Sequence, residues 1–73
     1  MTKLNDLAEE VIATRDLRDT FSKNGDSVGV RIMKRDLTRL LFRYGLRLQK
    51  VTPRGYWRSE LLQHASATVS GLR

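Results

Sequence analysis

A chain of 73 residues with no cysteine has one small hydrophobic core to hold it together, with partner binding as the other source of stability. At this length only about 60% of the unfolded surface becomes buried. A disulfide framework, a thiolate metal site and a cysteine nucleophile are all excluded. Every apolar residue must therefore be read for the few faces it can help to bury. The longest apolar runs are two or three residues, too short to span a membrane. The start, Met-Thr-Lys-Leu-Asn-Asp, lacks the apolar stretch of a signal peptide. These features predict a cytoplasmic chain, with residues 1–64 as one domain and 65–73 as a small, polar, fraying tail.

Leu4, Leu7, Ala8, Val11 and Ile12 recur at helical spacing, with Asp6, Glu9 and Glu10 on other faces. They predict an amphipathic helix. The stripe drifts after Ala13, so the first 22 residues read either as two helices, the second capped by Thr14, or as one kinked helix from Leu4 to Ser22. Lys23-Asn24-Gly25-Asp26-Ser27 has the composition of a turn. Val28, Val30 and Ile32 then alternate with Gly29 and Arg31, the pattern of a short strand. From Lys34 to Tyr44 the spacing is helical again, with Leu37, Leu40, Leu41 and Tyr44 within roughly 100° of arc and Gly45 placed to end the helix.

Leu46 to Val51 reads as a strand, Thr52-Pro53-Arg54-Gly55 as a turn and Tyr56-Trp57-Arg58 as the return strand. Ser59 is placed to cap a brief last helix through His64. The expected fold class is therefore α+β: an N-terminal helix or helix pair, a basic helix and a C-terminal β-hairpin. Helix and hairpin together resemble the back half of a winged helix, with Val28–Ile32 standing where that fold needs a helix. The expected core includes Leu7, Val11, Leu37, Leu40, Leu41, Leu48 and Trp57.

Charge divides the chain sharply. From Arg31 to Arg58 nine basic residues face one acid, Asp36, for a net +8; residues 1–30 carry −2 and the last fifteen sum to zero. The basic segment also holds Phe42, Tyr44, Tyr56 and Trp57, four of the five aromatics. Such a surface suits a polyanion or an acidic protein face. Arg35, Arg39 and Arg43 follow at four-residue spacing and form a ridge opposite the apolar stripe. Phe42 sits beside that ridge, where it either anchors an interface or packs beneath a neighbouring element. Arg47, Lys50, Arg54 and Arg58 extend the basic surface along the expected hairpin. Tyr56 there either stacks on a base or faces inward. The candidate binding residues are thus Arg35, Arg39, Phe42, Arg43, Arg47, Lys50, Arg54, Tyr56 and Arg58.

No catalytic or metal-ligating constellation stands out. The single histidine, His64, has no carboxylate pair near it in sequence, the glycines match no phosphate-loop spacing, and the serines lack a base. No cofactor is expected. Two function classes follow: a protein-binding regulator acting on the transcription machinery, and a double-stranded DNA binder using the basic helix and hairpin. In size, single-domain build and charge segregation the chain resembles small bacteriophage-encoded transcription regulators, of the kind represented by the Xanthomonas-phage inhibitor and antiterminator of host RNA polymerase. That resemblance implies polymerase binding, inhibited initiation and terminator readthrough in the host cytoplasm. It assigns no site residues.

Overall fold

The computed structural model describes residues 3–71. It contains three helices, α1 (Leu4–Lys23), α2 (Ser27–Val51) and α3 (Arg58–Gly71), and no strand among the described residues. The expected α+β class, with its C-terminal β-hairpin and winged-helix likeness, is corrected to an all-α domain.

α1 is one continuous helix, and Thr14 caps nothing. Its buried face is Leu7, Ala8, Val11 and Ile12. Beyond Ala13 the face weakens, leaving Leu17 exposed and Phe21 half-buried. The helix ends at the expected turn. The Gly25 amide donates to the Ser22 carbonyl at 3.2 Å and the Asp26 amide to the Phe21 carbonyl at 2.9 Å. This pair of reversed bonds is the Schellman arrangement, which needs a left-handed residue between them. Gly25 supplies it at φ +73°. Asp26 then caps α2, its carboxylate accepting from the Gly29 amide at 2.9 Å. Three residues therefore close one helix and open the next, and α1 and α2 pack as an antiparallel hairpin.

α2 absorbs two of the three segments expected as strands, Val28–Ile32 and Leu46–Val51; the third, Tyr56–Arg58, falls in the loop and at the start of α3. Leu37, Leu41, Tyr44 and Leu48 are its buried seam, and Val30 and Met33 continue that face towards the start. The alternation of Val28, Val30 and Ile32 covers too few residues to compete with a helical period running through Leu48. A lone strand at Val28–Ile32 would have had no neighbour to pair with, and an isolated hairpin is marginal in water. In the helix, Val30 turns inward while Val28 and Ile32 turn out to solvent.

Gly45 does not terminate α2. A Cβ there would stand 3.3 Å from Leu61 Cδ1, so the missing side chain lets α3 approach closely. The helix stops instead at Thr52-Pro53, since a residue before proline is driven out of helical conformation; Thr52 is extended, and its amide still donates to the Leu48 carbonyl.

The loop 52–57 is pinned by its own side chains. Arg54 pairs with Glu60 at 2.8 Å and lies over the Tyr56 ring, 4.2 Å from its centroid. The Tyr56 hydroxyl donates to the Thr52 carbonyl at 3.3 Å. Glu60 also accepts from the Trp57 amide at 3.3 Å, so this carboxylate, not Ser59, satisfies the start of α3. α3 continues through 65–71, the segment expected to fray: Ala65 is fully buried, and Val69 packs on the core.

The core is Leu7, Ala8, Val11, Ile12, Leu37, Leu41, Tyr44, Leu48, Leu61 and Ala65, with Leu40 half-buried at its edge. Trp57, expected within it, is 78% exposed. α1 packs against both other helices, while α2 and α3 meet over a narrow seam. There the buried Tyr44 hydroxyl reaches His64 Nδ1 and lies 3.4 Å from Thr68 Oγ1. Burial of the phenol raises its pKa above the usual 10.0, and the bond with Thr68 opposes that shift. No helix is long and apolar enough to cross a membrane among the described residues.

Candidate interaction surface

With its seam turned towards α1, α2 presents the opposite face along a helix about 37 Å long. α2 carries seven cations, Arg31, Lys34, Arg35, Arg39, Arg43, Arg47 and Lys50, and one acid, Asp36; Arg35, Arg39, Arg43 and Lys50 lie on this face, Arg31 and Arg47 at its flanks and Lys34 nearer the seam. The ion pairs among the described residues are Arg15–Asp16, Arg18–Asp19 and Arg54–Glu60, so none of the seven is neutralised by a salt bridge there.

Apolar side chains share this face. Phe42 is 69% exposed, and Val28, Ile32 and Leu46 are exposed as well. Of the two readings open for Phe42, packing under a neighbour is excluded by this exposure. Val28, Ile32, Arg35, Arg39, Phe42 and Leu46 follow one another at spacings of four, three, four, three and four. That is a heptad stripe, the pattern by which one helix packs along another. Its ends are apolar and its middle carries two arginines.

Leu46 forms a ridge between two grooves. On the α1 side, Leu7, Leu46, Arg43, Arg47 and Lys50 line an open groove of about 490 Å³, apolar at its base and cationic along one wall. On the α3 side, Leu41, Phe42, Gly45, Leu46, Tyr56 and Leu61 border a smaller depression of about 160 Å³. Exposed aromatic and arginine side chains set around such recesses are the composition of an interface centre.

The sequence-derived residues thus separate into two groups. Arg35, Arg39, Phe42 and Arg43 share the outer face of α2, and Arg47 and Lys50 flank it. Arg54 and Tyr56 are engaged inside the loop. The Arg54–Glu60 hydrogen bond raises the guanidinium pKa and, with the Trp57 amide, lowers that of the carboxyl. Arg54 is exposed and Glu60 half-exposed, so solvent screens the pair and it orders the loop without adding much to stability. Arg58 opens α3 and is exposed.

Sequence reasoning missed Leu46, Ile32 and Val28, assigned to strands, and Trp57, assigned to the core. Extending the 3.6-residue period from Lys34–Tyr44 in both directions would have placed the first three opposite the seam. Trp57 carried no comparable signal. Among the described residues no group of three His, Cys, Asp or Glu side chains is placed to hold a metal ion. No protein-family model matches the chain, and no curated protein or solved structure matches it significantly.

Proposed function

We propose that this protein is a non-enzymatic binding module that docks the outer face of α2 on an acidic protein surface, and that it regulates transcription by binding host RNA polymerase. The observation that carries the docking is the stripe of unpaired arginines bracketed by exposed Phe42, Leu46 and Ile32. A phosphate backbone would be served by cations alone; the interleaved apolar anchors are what a protein interface desolvates. The choice of polymerase, and of inhibited initiation or antitermination as the outcome, rests on the likeness in size and charge layout to small phage-encoded regulators.

Direct binding of duplex DNA is the second reading, favoured by the six net positive charges on α2 and the Arg43–Arg47–Lys50 groove wall. It would have to proceed through the helix alone. The test is co-purification with RNA polymerase from a nuclease-treated lysate and with purified enzyme at micromolar concentration. Retention without DNA supports the polymerase reading, and no binding to the purified enzyme refutes it. A duplex shift that collapses steeply with added salt supports the DNA reading, whereas no shift at low salt removes it.

A further inference from the structure

The outer face of α2 has a counterpart on the same molecule. Opposite its buried residues, α1 exposes Asp6, Glu10, Ala13, Leu17 and Thr20, spaced four, three, four and three. This too is a heptad stripe with no helix against it. Laid parallel to α2 at a shift of 29 positions, it sets Asp6 against Arg35, Glu10 against Arg39, Ala13 against Phe42 and Leu17 against Leu46. One flank agrees in charge, while the other sets Thr14 against Thr38. In a parallel pair, the residue before every second seam position, here before Glu10 and before Leu17, meets the residue five further along on the other helix. At this shift Glu9 therefore meets Arg43 and Asp16 meets Lys50.

We propose that the α1 outer face of one copy docks in parallel on the α2 outer face of a second copy, so that the chain self-associates head to tail. Charge complementarity selects this occupant over α2 of another copy. Two α2 stripes would bring Arg35 and Arg39 against the same residues in parallel register, or against each other when antiparallel. Like charges so opposed are repulsive. The two stripes lie on outward faces of different helices, so the contact is heterologous and grows into an open array or closes as a ring. The small Ala13 gives Phe42 room to insert, and Leu17 and Leu46 cover each other's exposed halves. The inference is independent of any polymerase partner. Where both hold, self-association and partner binding compete for α2.

Sedimentation velocity of the full chain at low salt, from micromolar to millimolar, reads the association directly. The wild type is expected to rise above its 8.4 kDa monomer mass with concentration. Asp6→Arg/Glu10→Arg and Arg35→Glu/Arg39→Glu should each weaken self-association by at least about tenfold, since the two seam charge pairs then set like charges together. Mixing the two variants one to one should restore it. Circular dichroism checks that both variants remain helical, as expected for exposed positions. A wild type that stays monomeric throughout overturns the proposal, as does a mixture no more associated than its components. The Asp6/Glu10 variant leaves α2 untouched, so retained capture of the acidic partner with lost self-association separates this inference from the proposed function.

Discussion

Leu41 and Phe42 are neighbours in sequence with opposite roles, and truncating each in turn tests the structure at its most exposed assignment. Leu41 is 3% exposed, at the centre of the α2 seam. Trimming its isobutyl side chain to a methyl leaves a cavity between α1, α2 and α3, so Leu41→Ala should cost about 2–5 kcal/mol. That is a large share of the stability of a domain this small. Phe42 is 69% exposed. Full burial of a phenylalanine contributes about 1.5–3 kcal/mol, and the roughly one third of Phe42 that is covered scales this to about 0.5–1 kcal/mol. Phe42→Ala should therefore shift the urea midpoint only slightly while Leu41→Ala shifts it strongly, with the slope unchanged in both. Binding should show the reverse order. Loss of an interface anchor costs at least about 2 kcal/mol, roughly thirtyfold in affinity, for Phe42→Ala at constant fold. Equal destabilisation by the two substitutions would mean that Phe42 is packed, and the outer-face assignment would fall. A stable Phe42→Ala with undiminished partner affinity would remove Phe42 from the interface.

Gly45→Val should push α3 away from α2, because the added branch meets Leu61; an overpacking cost of about 1–3 kcal/mol is expected in chemical denaturation, and an unchanged midpoint would contradict the close approach. Tyr44→Phe should lose about 1 kcal/mol at neutral pH with the hydroxyl's bond to His64. Burial holds the Tyr44 pKa above 10.0, so folding favours the neutral phenol. Its contribution is intact below pH 10.0 and fades as pH rises through the raised folded value; Tyr44→Phe should flatten that alkaline limb of the stability profile. Glu60 has the opposite sign, its folded pKa lying below 4.5, so its ordering of the loop is present above pH 4.5 and is lost as pH falls through the lowered value. Glu60→Gln should abolish that acid-dependent change in hydrogen exchange at the Trp57 amide, and an unchanged profile would show that the loop is held by other means.

The helix-forming stripes were legible wherever the buried face is continuous. Leu7 with Val11, and Leu37 with Leu41, mark helical spans at the start of α1 and in the middle of α2, and Asn24-Gly25-Asp26 marks the turn. What misled was alternation over short spans. Val28-Val30-Ile32 and Leu46-Leu48 look like strands because α2 carries apolar residues on both faces, and two residues along a helix is close to half a turn. The same double-sidedness is what makes the helix a candidate interface, so the surface and the misreading share one cause. Arg35, Arg39, Phe42 and Arg43 were placed on a common face because that span was read at the right period. Arg54 and Tyr56 were grouped with them on a hairpin that does not form, while local pairing with Glu60 and Thr52 decides their position. The exposure of Trp57 follows from the loop's path, which depends on that local pairing.

The central position of α1 also bears on the order in which the molecule assembles. α1 and α2 are joined by a connection so short that their contacts begin close in the chain and extend outward from the turn, the circumstance that favours rapid folding. Their hairpin, residues 4–51, can bury most of the core before α3 takes part, and α3 then fills the remaining side through Leu61, Ala65 and Val69. Such a helix is the natural first unit to detach in native-state exchange, its amides opening at a lower free energy than those around Leu37 and Val11. The basic stripe stands on the face of α2 turned away from α1. A molecule whose last helix has swung free would still present Arg35, Arg39 and Phe42 on an intact two-helix platform.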